Sequence, residues 1–260
     1  MLDTIFEKHP DLDTLKSLIV LSAGGSSLKG VTSEGKEIEI SGANLGPSKN
    51  LLGNGDKKGI RTGSVVRVIE SADGSNYRIT QVPSVQASFV SMDPTDGAIH
   101  ALIGGFDFGL SKFNHITQGY RQPGSTIKPF IYSAAMEKNR MNPNSVVDDK
   151  PIKIGSWQPK NADGRYLGPI PLSTALASSR NMVSIRLLQS IGNDYFRSYA
   201  ERFGFEGKRI DKYLTVALGA IEATPYQIVG AYGVFANGGY KVDPYFIKKV
   251  VDRSGTVILE

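Results

Sequence analysis

Apolar positions recur along this chain at two different periods, and the change from one to the other divides it. From Leu18 the apolar residues come in short runs with Gly-rich breaks. This predicts strands at Leu18–Ser22, Leu28–Thr32, Glu37–Ser41, Ser64–Glu70 and Tyr77–Val82. Asp73-Gly74-Ser75-Asn76 supplies turn chemistry for the last pair. Met1–Leu15 reads instead as a short helical segment. Gly42–Lys58, rich in Gly, Asn, Ser and Lys, reads as a mobile loop.

Beyond Val85 the pattern changes. Val85–Asp93 and Ala98–Gly104 predict two strands joined by Asp93-Pro94-Thr95-Asp96-Gly97. Ile127, Phe130, Ile131, Ala134 and Ala135 then fall at i, i+3, i+4, i+7 and i+8, the apolar stripe of a buried helix. Pro129 has no amide hydrogen and is tolerated only near a first turn, so this helix must begin close to Ser125. Two further helical patterns flank Ser179-Arg180-Asn181, with Val183, Leu187 and Ile191 continuing an apolar face. Near the end, Tyr245–Val251 and Thr256–Leu259 alternate around Asp252–Gly255, which predicts a hairpin turn.

The helix start carries candidate chemistry. In Gln122-Pro123-Gly124-Ser125-Thr126-Ile127-Lys128-Pro129-Phe130, Ser125 and Lys128 are spaced i, i+3 and share a helix face. Burying the lysine at an apolar helix start lowers its pKa. A neutral amine beside a hydroxyl is a general base beside a nucleophile, the arrangement acyl transfer needs. A solvated surface pair would show the same spacing, but the Pro-Gly turn and the apolar turns that follow argue for burial. Ser179 and Asn181 add a hydroxyl for proton relay and an amide that both donates and accepts. Either could equally cap the following helix.

Taken together, these motifs resemble the transpeptidase region of class A penicillin-binding proteins. The matching segments are Arg121-Gln122-Pro123-Gly124-Ser125 through Lys128-Pro129-Phe130, Ser179-Arg180-Asn181, and Trp157 through Asn161 in a Trp-x-Pro-x-Asn loop. Leu218-Gly219 with Thr224-Pro225, and Phe235 through Tyr240, complete the set. The resemblance covers about two-thirds of the chain. It implies an α+β fold of the penicillin-binding and serine β-lactamase type over 85–260. An accessory module over 18–84 would precede it, a five-stranded barrel of the oligonucleotide/oligosaccharide-binding (OB) type, with 1–17 as a linker remnant.

The same resemblance implies the roles. Ser125 attacks the D-Ala-D-Ala carbonyl of a peptidoglycan stem peptide and Lys128 takes its proton. Ser179 relays a proton to the leaving D-alanine, and Asn181 holds substrate and Lys128. Gly124, Trp157 and Tyr166 would border the substrate. β-Lactams would acylate Ser125. Rival readings are a serine β-lactamase and a non-catalytic β-lactam-sensing or protein-docking module.

One departure is clear. No Lys-Thr-Gly or Lys-Ser-Gly, the family's third motif, follows Asn181. Arg61-Thr62-Gly63 lies upstream of the nucleophile, and Arg253-Ser254-Gly255-Thr256 carries turn chemistry. The expectation is a piece of a longer, membrane-anchored periplasmic enzyme, truncated before that motif and inactive or nearly so by itself. It would hold two strands of a larger antiparallel sheet, whose open edge invites homo-association. Leu18–Leu21 and Val65–Ile69, the longest apolar runs, fall far short of a membrane span.

Charge and composition narrow the partners. The net charge of +5 resides wholly beyond residue 85, because residues 1–85 hold ten basic and ten acidic side chains. A neutral barrel with Tyr77 as its one aromatic between Leu18 and Val85 lacks the footprint of nucleic-acid binding. Envelope proteins are the partners expected for it. With no cysteine, and with His9, His100 and His115 lacking metal spacing, neither a metal nor a cofactor is expected.

Overall fold

The computed structural model describes residues 2–53 and 59–259, in two compact units. The first comprises Met1–Ala87 with Gly105–Lys112; the second comprises Ser88–Gly104 with Phe113–Glu260. The sequence expects a division at residue 85; the contact units meet between Ala87 and Ser88, and the segment 105–112 belongs to the first.

In the first unit a short helix, α1 (Leu2–Lys8), precedes five strands: β1 (Leu15–Gly24), β2 (Ser27–Thr32), β3 (Glu37–Ser41), β4 (Val65–Glu70) and β5 (Tyr77–Thr80). They form one antiparallel sheet in the order β3-β2-β1-β4-β5. The sheet curls until its outer strands β3 and β5 lie against each other. Leu18, Val20, Leu28, Ile38, Ile40 and Val68 fill its interior, as strand alternation requires. The expected mobile loop is only partly a loop. Gly42–Leu51 forms two 3₁₀ stretches kinked at Gly46, and Leu45 is wholly buried in this core, while residues 54–58 lie outside the described residues. One apolar anchor in a polar stretch leaves no periodicity to read.

In the second unit β6 (Phe89–Met92) and β7 (Ile99–Ile103) form the expected hairpin, shorter at its start than the sequence predicts. A 3₁₀ turn at Gly124–Ile127 leads into α2 (Lys128–Asn139). β8 (Val146–Asp148) pairs with β9 (Pro169–Pro171), and α3 (Leu172–Ala177), α4 (Asn181–Ile191) and α5 (Asn193–Glu201) follow. α6 (Pro225–Ala236) opens with a Thr224/Gln227 capping box. β10 (Val250–Val251) and β11 (Val257–Leu259) end the described chain. Their connection is the predicted turn, since the Asp252 carboxylate accepts from the backbone N–H groups of Ser254 and Thr256 and from Ser254 Oγ.

Helix α2 is the centre of this unit. Phe130 is wholly buried, with the rings of Phe203, Phe205, Tyr232 and Phe235 within 5.0–5.3 Å of its own. Asn237, just beyond α6, donates to Pro94 O at 2.9 Å and so ties the β6–β7 turn to the helix end.

Candidate active site

The turn that delivers Ser125 is braced from behind. Arg121 and Ala223 exchange backbone hydrogen bonds at 3.0 and 3.1 Å, and Tyr232 Oη donates to Thr126 O at 2.8 Å. Gly219, at φ 85°, lies so close to Gly124 that a Cβ there would overlap the Gly124 backbone. Only glycine fits that position. Gly124 itself has φ 58° and turns the chain into the helix. An apolar groove of about 410 Å³ borders Gln122, Pro123 and Thr126.

Ser125 is exposed, whereas Lys128 is 1 % exposed. Their i, i+3 spacing lets the two side chains meet. Instead the lysine Nζ donates to Asn181 Oδ1 at 2.7 Å, to Ser179 O at 2.7 Å and to Ser179 Oγ at 3.1 Å. No hydrogen bond holds Ser125 Oγ among the described residues. Three oxygens outcompete one neighbouring hydroxyl for a buried amine. Burial, helped by the nearby Arg180 cation and opposed by the Asp149 anion, pushes the Lys128 pKa down to about 8.

Ser179 adopts φ 50°, a left-handed conformation uncommon outside glycine, and this aims both of its oxygens at Lys128. Such strain costs on the order of 1–3 kcal/mol and persists only where surroundings impose it. Arg180 imposes it. The side chain is 5 % exposed, its Nε donating to Asp149 at 2.8 Å and one terminal nitrogen to Asp163 at 3.0 Å. Its other terminal nitrogen donates to Arg165 O. The middle residue of Ser-Arg-Asn thus serves the scaffold beneath the site.

Neither Ser179 nor Asn181 caps α4 with its side chain. Asn161 does so from a distance, its Oδ1 receiving the N–H groups of Asn181 at 2.8 Å and Met182 at 3.4 Å. Asn161 was legible only as part of the Trp-x-Pro-x-Asn resemblance, and Asp149 gave no sequence signal beyond its place in an Asp-Asp pair. Trp157 and Tyr166 are half-buried against the core of the unit. Trp157 also lines a cavity of about 490 Å³ with Tyr213 and Lys212. No group of three or more metal-ligating side chains occurs among the described residues.

The comparisons with known proteins fit this geometry. The profile of the penicillin-binding protein transpeptidase domain matches residues 87–258. Penicillin-binding protein 1A of Neisseria flavescens is 42% identical over 254 residues, covering 94% of this chain and 31% of that protein. Its counterpart from Pseudomonas aeruginosa is 40% identical over 260 residues, covering 95% and 31%. The chain thus spans about a third of the length of these curated relatives. The crystal structure of penicillin-binding protein 1A from Haemophilus influenzae superposes with a TM-score of 0.84 at 34% identity, over 99% of this chain and 38% of that one. PonA1 from Mycobacterium tuberculosis in complex with penicillin V gives 0.61 at 26% identity, over 68% and 51%. The α+β transpeptidase fold implied by the motifs is the fold observed.

Proposed function

Because this chain belongs to the penicillin-binding protein transpeptidase family, we propose that it carries the acyl-transfer site of a peptidoglycan D,D-transpeptidase. The observation that carries this reading is a buried lysine with a pKa near 8, one 3₁₀ turn beyond an exposed serine and hydrogen-bonded to a second serine. At pH 7 about a tenth of such a lysine is neutral. It can therefore accept the Ser125 proton as Oγ attacks the carbonyl between two terminal D-alanines. The C–N bond breaks, an ester forms on Ser125, and the leaving amine takes its proton by way of Ser179 Oγ. An amine from a second stem peptide then attacks the ester, forms the cross-link and returns the proton to Ser125. With a β-lactam the broken amide lies within a ring, no amine departs, and the ester persists.

The Ser125 N–H supplies one oxyanion donor in this reading. Gly124, Trp157 and Tyr166 would line the approach of the stem peptide, a role supported by their places in the nucleophile turn and around the Asn161 loop. The strand order of the first unit, with a helical segment between β3 and β4, supports an OB-like module, for which envelope proteins are the partners in this reading. A peptidoglycan substrate supports a site on the periplasmic face of the inner membrane in the parent protein. No helix among the described residues is long and apolar enough to cross a membrane. Phe89 and Ile103 of the β6–β7 pair, each 56% exposed, support association between copies.

Intact mass after hours with excess penicillin tests the reading. One penicillin mass on the wild type and none on Ser125→Ala is expected. Steady penicillin turnover would point instead to a serine β-lactamase, and a folded wild type that stays unmodified would overturn the proposal.

A further inference from the structure

We propose that Asp149 is a positioning residue of this site. Its buried carboxylate clamps the loop bearing Asn161 to the turn bearing Ser179, Arg180 and Asn181, and so fixes the oxygens that receive Lys128. The inference rests on the acyl-transfer reading for its consequence, although its geometry stands apart from it.

Asp149 is wholly buried, and a carboxylate there is tolerable only if its oxygens are satisfied. They accept from Asn161 Nδ2 at 3.0 and 3.2 Å, from Leu167 N at 3.0 Å and from Arg180 Nε at 2.8 Å. The Asp149 N–H donates to Gly168 O at 2.8 Å. A buried ion pair adds little net stability compared with apolar packing, so the contribution of this one is geometric.

Two routes run from Asp149 to Lys128. On the first, an acceptor-only carboxylate must face the NH₂ end of the Asn161 amide, which leaves its oxygen for the Asn181 N–H. Asn181 is then oriented in the same way. Its NH₂ end donates to Lys160 O at 2.8 Å, and its oxygen faces Lys128. On the second route, Asp149 anchors the Arg180 side chain, and the Arg180 backbone N–H donates to Ala175 O at 2.9 Å. That holds the neighbouring Ser179 in its left-handed conformation, with both oxygens on Nζ. Carboxylate and lysine thereby share a single frame of two amides and one guanidinium. The charged groups that act on Lys128 are the two buried partners of this frame, Arg180 and Asp149.

The test combines two readouts on the full 260-residue chain: titration of the Lys128 side chain by ¹³C NMR, and the rate of penicillin acylation across pH. In D149N the lost anion is expected to move the Lys128 midpoint below its wild-type value. The loosened frame is expected to lower the plateau rate by about tenfold to a hundredfold, the effect of misplacing reacting groups by an ångström or less. R180K keeps both charges but not the guanidinium fork, so its midpoint should stay while its rate falls about tenfold. Should D149N fail to fold, D149N/R180M removes both buried charges together, an exchange folds commonly tolerate, and the rate loss is expected there too. A folded D149N or D149N/R180M with a wild-type rate, or R180K with a wild-type rate, would overturn the proposal. A stability loss with neither midpoint nor rate changed would mark Asp149 as structural only. If the wild type forms no Ser125 adduct, the acyl-transfer reading fails by itself, and the side-chain amide NMR signals of Asn161 and Asn181 still decide this inference: they should shift in D149N and R180K, and unchanged signals would overturn it.

Discussion

The two units bury different things. In the first, the interior is aliphatic apart from Tyr77, and its fully enclosed polar side chains are Ser17 and Thr32, two hydroxyls. In the second, Lys128, Asp149, Asn161 and Arg180 are enclosed beside the main core. Burying charge is unfavourable unless every donor and acceptor is matched. A unit that encloses three charged side chains and an amide around one exposed serine has stability diverted into geometry. Among its described residues the first unit encloses no charged side chain.

The largest expected effect falls on the tightest contact of the second unit. Gly219→Ala places a methyl group on the Gly124 backbone at a positive φ. It should cost about 3–5 kcal/mol and abolish acylation, as thermal melting and intact mass would show. Near-normal acylation in that variant would mean the turn is not held as described. Leu28→Ala cuts a fully buried side chain from the first unit and should destabilise that unit by about 2–5 kcal/mol. Acylation at a temperature where the second unit stays folded should remain within about twofold of wild type. A large loss there would break the contrast between the units.

The pH dependence sharpens the contrast. Acylation should rise with pH through a midpoint near 8 to a plateau above it, falling about tenfold per unit well below the midpoint, because the reactive form of Lys128 is the neutral one. The linkage has a definite sign. Folding lowers the Lys128 pKa from 10.5 to about 8, so the unfolded chain binds more protons between these values. This group therefore makes stability increase with pH across that window. A pH-rate midpoint near 10.5 would show a solvated lysine. The smallest effect is expected at Tyr132, wholly enclosed on α2, whose hydroxyl has no hydrogen-bond partner among the described residues. Tyr132→Phe should be neutral or stabilising by up to about 1 kcal/mol in denaturant melts, since an unmatched buried hydroxyl is removed. A clear destabilisation would reveal a partner for that hydroxyl.

Much of the architecture was legible locally. The five strands of the first unit lie close to their expected positions, because alternation and Gly-rich breaks act over a few residues. Pro129 and the stripe from Ile127 to Ala135 predict a helical start close to Ser125, and the 3₁₀ turn from Gly124 runs into α2 at Lys128, since a missing amide hydrogen and a helical period are properties of neighbours. Asp252–Gly255 is a turn for the same kind of reason. The boundaries erred where one anchor decides the outcome, as at Leu45.

What the sequence by itself determined was therefore the order of the elements, a serine at a helix start, and a lysine one turn later. Only the tertiary structure decided what that lysine does. Its acceptor Asn181 lies 53 residues away, and Asp149 meets Arg180 across 31. The Asn161 cap on α4, the left-handed Ser179 and the lowered Lys128 pKa exist once distant segments exclude water from one another. Burial and charge are properties of the folded surroundings, and no local period encodes them.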